Sequence, residues 1–208
     1  RFRRRPRPIG SASRLLSGLD DAGFGESACE GLHVGLQPHF EALLVDLLEI
    51  LNSSLRKQPA CPAGLRGLQG FTLSLQTGET DQHSGVTGGA ARNPLGELMQ
   101  LVSEMYDART GKVKIKGFYD DVEPPSKREL QDFRASGFTV KQFKKDHLFR
   151  SLRSEDPLDV MKRIWAMPTF EVHGLVGGYT GPGIKTVIAP KAEVKISCRL
   201  VPKQDPKK

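Results

Sequence analysis

The sequence predicts an α+β fold, a mainly antiparallel sheet with helices on one face, and three observations carry that expectation. Apolar and polar residues alternate over Phe71–Gln76 and again over Ala192–Val201, the period of a half-buried strand. Between these stretches Leu95, Leu98, Met99, Val102, Met105 and Tyr106 recur at helical spacing. The order of elements is strand, helix, strand, then several helices and further strands. That order suits helices gathered on one face of an antiparallel sheet.

Taken in order, residues 1 to about 36 are Arg-, Gly- and Ser-rich with little periodicity, and no element is assigned there. From Phe40, the residues Leu43, Leu44, Leu47, Leu48 and Leu51 mark an amphipathic helix with Glu41, Asp46 and Glu49 largely interleaved. Its acidic polar face points to packing on a neighbouring core rather than to a membrane surface. Phe71, Leu73 and Leu75 alternate with Thr72, Ser74 and Gln76 as a strand. Asn93 suits an N-cap and Pro94 the first helical position, so the spacing predicts a helix over about 94–108. From Gly111 the sequence begins as a short alternating strand and then passes through Pro124-Pro125. Ser126 with Glu129 three residues on has the form of a capping box, and residues 126–165 read as helices broken near Gly137 and Pro157. Pro168–Leu175 is a strand. Ala192, Val194, Ile196, Cys198 and Leu200, set against Glu193, Lys195, Ser197, Arg199 and Val201, make a long strand with one apolar and one polar face.

Composition narrows the class. The chain has 208 residues, enough for one domain with a core or one domain and part of a second, and 38% hydrophobic with 26% charged residues is the balance of a soluble globular protein. No apolar run approaches the roughly 20 residues of a membrane span, and the start lacks a secretory signal, so a cytoplasmic protein without a membrane partner is expected. Cysteines 29, 61 and 198 are odd in number and widely spaced, which argues against a disulfide framework or a structural zinc site; Cys198 reads as a buried thiol. Of the net charge of +7, five positive charges come from Arg1, Arg3, Arg4, Arg5 and Arg7. The body is near neutral, and a solvated tail accounts for the arginines more simply than a nucleic-acid partner. Because the chain opens at Arg1 and its first methionine is Met99, it reads as a fragment or a processed product.

Three places could carry chemistry. The loop Gly177–Thr186 looks like a phosphate loop, but Ile184 separates the last glycine from Lys185 and the loop leads into a strand, not a helix, so it does not read as a nucleotide site. Nor do Gly85, Gly88 and Gly89 match the dinucleotide-binding spacing. His83 lies just past a strand, beside Asp81 and Ser84, with Gly85 permitting a sharp turn. It can donate to an oxyanion, but local physics alone favours a loop histidine with no task. Arg199 offers a guanidinium fork suited to a carboxylate on the polar side of the last strand. His33, His39, His147 and His173 lack metal-ligand spacing, and no residue is assigned as a metal ligand.

Two blocks then matter together: "TDQHSGVTGGAARNPLGELMQLV" within residues 59–122, and "GGYTGPGIKTVIAPKAEVKISCRLVPKQDP" near the end. They resemble the M20 family of metallopeptidases, and within it the carnosinase-like dipeptidases, over about residues 59–208. The resemblance implies that this region is the family's lid or dimerisation domain. Such a domain joins a homodimer and lends a histidine across the interface to a catalytic domain holding two zinc ions and acting on peptides or dipeptides. Carried over by motif, His83 is the catalytic residue that stabilises the oxyanion in trans, and Thr186 and Arg199 bind the substrate carboxylate.

The family's H-x-D metal block, Glu-Glu pair and later metal ligands are not recognisable in the chain. Ile9-Gly10-Ser11 follows an arginine run where relatives carry acidic residues. Residues 1–58 are therefore expected to be a remnant of a catalytic domain with a basic tail, and 59–208 the lid, incomplete at its C-terminus. The expected function is the lid and dimerisation part of an M20-type zinc metallopeptidase hydrolysing dipeptides or related amides, inactive as the isolated chain and binding no catalytic zinc by itself. A non-catalytic homodimerisation module is the alternative.

Overall fold

The computed structural model describes residues 32–37 and 65–207. The helix expected from Phe40 and the arginine run fall outside those residues. The central layer is a four-stranded antiparallel sheet of β1 (Leu32–Gln37), β2 (Gly67–Gln76), β6 (Thr169–Val176) and β8 (Lys191–Leu200), in spatial order β1-β2-β8-β6. β2 and β8 pair along ten residues each, from Gly67↔Leu200 to Gln76↔Lys191. Their alternation decides which face is covered. Phe71, Leu73 and Leu75 on β2, and Ala192, Val194, Ile196 and Cys198 on β8, are buried in one cluster.

After a single turn of helix, α1 (Ser84–Thr87), the cover is α2 (Pro94–Met105), which contributes Leu98, Leu101 and Met105 to that cluster. Asn93 caps it, its Oδ1 accepting from the backbone N–H groups of Leu95 and Gly96, with Pro94 in the first turn. The helix ends at Met105, earlier than its periodicity suggests, because Tyr106 turns extended and enters β4 (Tyr106–Asp107), paired with β5 (Lys112–Val113). Tyr106 stays in the core, its ring stacked on Phe170 at 5.2 Å between centroids, while Phe71 meets Phe170 edge-on at 6.2 Å. The short strand expected from Gly111 is the two residues of β5.

A helical segment follows with a small packing centre of its own. It comprises α3 (Lys127–Ala135), α4 (Val140–Asp146) and α5 (Pro157–Met161), the last running on as a π-helical turn over Lys162–Ala166. Ser126 and Glu129 form the reciprocal capping box that their spacing implies. Arg163 donates to the Asp159 carboxylate at 2.8 Å and holds its pKa below the ordinary value. Phe133 meets Trp165 edge-on at 5.6 Å.

Three features were not foreseen. β1 lies where no element is expected. β6 carries a bulge at His173, since Val172 pairs with Ile196 and Gly174 with Lys195. Met99, expected on the core-facing side of its helix, is 52% exposed. The apolar residues of α2 span more of its circumference than the sheet can cover. Among the described residues, no helix is long and apolar enough to cross a membrane.

Candidate functional site

A small ladder of β3 (Gln82–His83) and β7 (Val187–Ile188) joins the main sheet at its Gln76/Lys191 end. Thr77 and Gly78 both donate backbone N–H bonds to the Pro190 carbonyl there. His83 pairs with Val187, and the N–H of Ser84 donates to the carbonyl of Thr186 at 3.0 Å. Two loops 103 residues apart are thereby tied together, and they bring two sequence-assigned residues into contact. Thr186 Oγ1 stands 3.4 Å from His83 Nε2, and both side chains are exposed.

The other ring nitrogen sets the chemistry of the pair. The backbone N–H of Gly85 donates to His83 Nδ1 at 2.9 Å. An Nδ1 that accepts has no proton of its own in the neutral ring, so Nε2 carries it and can donate outward. With the His83 ring held in this position, only glycine fits at 85. A Cβ there would lie 2.8 Å from His83 Cε1 and 3.0 Å from Nδ1. An N–H donor thus faces solvent beside a hydroxyl, an arrangement that suits an oxyanion or a carboxylate.

Arg199 is not brought to this pair. It sits on β8 between Leu68 and Thr169, eight residues beyond Lys191, which is about 26 Å along a strand. His83 and Thr186 gather at one end of β8 and Arg199 lies at the other. Near that far end is a contact absent from the sequence reading: His173 Nε2 lies 2.6 Å from Ser197 Oγ. The bulge at His173 creates it, and no local pattern signals a bulge before pairing is known. Cys198, next along β8, is buried as expected, and desolvation pushes its thiol up to about 12.

A second surface is apolar. β6 is an edge of the sheet, and along it Val172, Leu175 and Val176 are 42%, 44% and 57% exposed. Between β6 and α2 lies an open concavity of about 550 Å³ lined by Met99, Val102, Tyr106, Arg109, Glu171 and Val172 among others. Partly exposed aliphatic side chains on an unpaired edge beside a helix form a surface suited to another protein.

The chain belongs to the peptidase dimerisation domain family of the M20 peptidases, which matches residues 63–208. The Cys-Gly metallodipeptidase DUG1 of Candida albicans is 32% identical over 151 residues, covering 73% of this chain and 31% of the relative. The Beta-Ala-His dipeptidase of Mus musculus is 28% identical over 194 residues, 92% of this chain and 39% of that protein. Among solved structures, the M20 family metallo-carboxypeptidase Sso-CP2 from Sulfolobus solfataricus superposes with a TM-score of 0.68 at 31% identity, over 78% of this chain and 46% of that one. The di-peptidase Dug1p of Saccharomyces cerevisiae gives 0.65 at 29% identity, over 71% and 31%. The chain spans about a third of the length of the dipeptidases it matches. M20 metallopeptidases imply a metal, but among the described residues no group of three or more His, Cys, Asp or Glu is placed to hold one.

Proposed function

We propose that this chain is the lid and homodimerisation part of a zinc-dependent dipeptidase of the carnosinase and Cys-Gly type, and that its own contribution to hydrolysis is made in trans. The observation that carries the reading is the His83–Thr186 pair. Gly85 fixes the ring with its proton on Nε2, the pair is open to solvent, and it stands on a domain of a dimerising family. In an assembled enzyme the Nε2–H donates to the oxygen that becomes negative when the peptide carbon turns tetrahedral. Thr186 hydrogen-bonds the substrate carboxylate, and Arg199 pairs with that carboxylate through its guanidinium. Because Arg199 lies about 26 Å along β8 from the His83 end, one small substrate meets all three only if they come from two copies.

Zinc and its ligands then come from a catalytic unit, since the described residues offer no such cluster. Residues 1–58 are read as a remnant of that unit and 59–208 as the lid. The alignment with the mouse dipeptidase supports this division, because 92% of the chain is more than the lid alone. We place the protein in the cytoplasm, on the soluble character of its composition.

A non-catalytic homodimerisation module is the second reading, favoured by the lack of a ligand cluster among the described residues and by the apolar β6 edge. Light scattering with a zinc titration and a dipeptide hydrolysis assay on the full chain separates the outcomes. A dimer that neither binds stoichiometric zinc nor hydrolyses β-Ala-His or Cys-Gly is expected. Addition of a catalytic unit whose own lid histidine is removed then distinguishes lid from module: only the lid restores hydrolysis, and His83→Ala abolishes that restoration. Hydrolysis by the isolated chain with zinc would overturn the in-trans assignment.

A further inference from the structure

The family match begins at residue 63, but the sheet begins earlier. β1 comes from outside the matched domain and pairs with β2 along its whole length, antiparallel. The register is selective. Leu32, Val34 and Leu36 stand opposite Leu75, Leu73 and Phe71, the three buried residues of β2, while His33, Gly35 and Gln37 stand opposite Ser74, Thr72 and Gly70. A slip of one residue would set aliphatic against polar throughout. Leu32 is partly buried and packs against the core cluster.

β1 is also separable from the rest of the fold. Residues 38–66 intervene before β2, so no tight hairpin turn joins the two strands. On its other side, β2 is already held by β8 along all ten residues, and α2 covers its buried row. Without β1, and with no other strand against this side among the described residues, β2 would offer unpaired backbone N–H and C=O groups over residues 70–75. We propose that this edge of β2 is a strand-binding site and that Leu32–Gln37 is its exchangeable occupant. The site takes an extended segment with aliphatic residues at alternate positions, in antiparallel sense, by strand addition. Backbone bonds hold the guest, and the row Phe71, Leu73 and Leu75 selects its alternate side chains.

The test uses the full chain carrying Val34→Pro and Gly35→Pro together, since successive N–H groups of a strand point to opposite sides and one of the two must be lost from the β1–β2 ladder. Hydrogen exchange is then followed at residues 70–75 and, as an internal reference, at 169–176. The expected result is exchange on the order of 100-fold faster in 70–75, with 169–176 unchanged. A synthetic peptide of residues 30–39 added in trans restores the protection, and the same peptide with proline at the positions equivalent to 34 and 35 does not. Protection that returns instead as the concentration of the variant rises means that a second copy fills the edge, which also supports an accepting site. Unchanged protection in 70–75, or no effect of the wild-type peptide, overturns the proposal. Equal loss of protection in 169–176 overturns it too, because β1 is then an integral strand and not a replaceable one.

Discussion

Leu175→Asp tests whether the apolar β6 edge is the seam of the proposed homodimer. Leu175 is 44% exposed in the single chain, so the substitution removes little from the core and leaves the fold intact. Covering its exposed part, on the order of 80 Å², stabilises an interface by about 2 kcal/mol per copy. An aspartate forfeits that and buries a carboxylate without a partner, a further cost of about 1–3 kcal/mol. Over two copies the loss is about 6–10 kcal/mol if the group is fully covered, and about 4 kcal/mol if it turns toward water. At about 1.4 kcal/mol per tenfold, even the smaller figure weakens dimerisation by about 1,000-fold. Sedimentation equilibrium of both chains over a dilution series reads this directly, with the melting temperature as a control for folding. A Leu175→Asp chain that dimerises as tightly as the parent refutes the seam, as does a parent chain that stays monomeric at every concentration.

Other expectations follow from single contacts. Gly85→Ala should displace the His83 ring, because the new Cβ falls 2.8 Å from Cε1; imidazole nitrogen shifts should then show loss of the single Nε2–H tautomer. Cys198, with its thiol pushed up to about 12 and its side chain buried, should resist alkylation at pH 8 in the folded chain and react at once in denaturant. Asp159 titrates below its ordinary range because Arg163 donates to it, so its stabilising contribution is present above that range and is lost as pH falls through the lowered value. Urea midpoints of the parent and of Asp159→Asn should therefore differ at pH 7 and converge under acid.

Periodicity made the middle of the fold legible. β2, α2, β8 and the Ser126–Glu129 box are written in local spacing, and each forms where that spacing puts it, except that α2 stops at Met105 rather than about 108. Elements whose existence depends on a distant partner were not legible. β1 is six residues with a weak signal of its own, and it becomes a strand only because Phe71, Leu73 and Leu75 stand across from it. Met99 has the same apolar character as Leu98, and nothing in the spacing says that the sheet ends before reaching it. At the site, motif resemblance named His83, Thr186 and Arg199, but their mutual placement required the sheet. The ladder from His83 to Val187 joins the first two, and the length of β8 separates the third from them.

The irregularity at His173 governs more than its neighbour on β8. Because one residue is left out of the pairing count, Val172 and Leu175, three apart in the chain, both stand opposite inward residues, Ile196 and Val194. Were His173 instead taken into regular pairing, Leu175 would stand opposite Glu193 and its side chain would turn toward the polar surface. The greasy margin of the domain is thus a matter of phase, kept by one uncounted residue and lost if that residue were counted, with every aliphatic residue still in the chain.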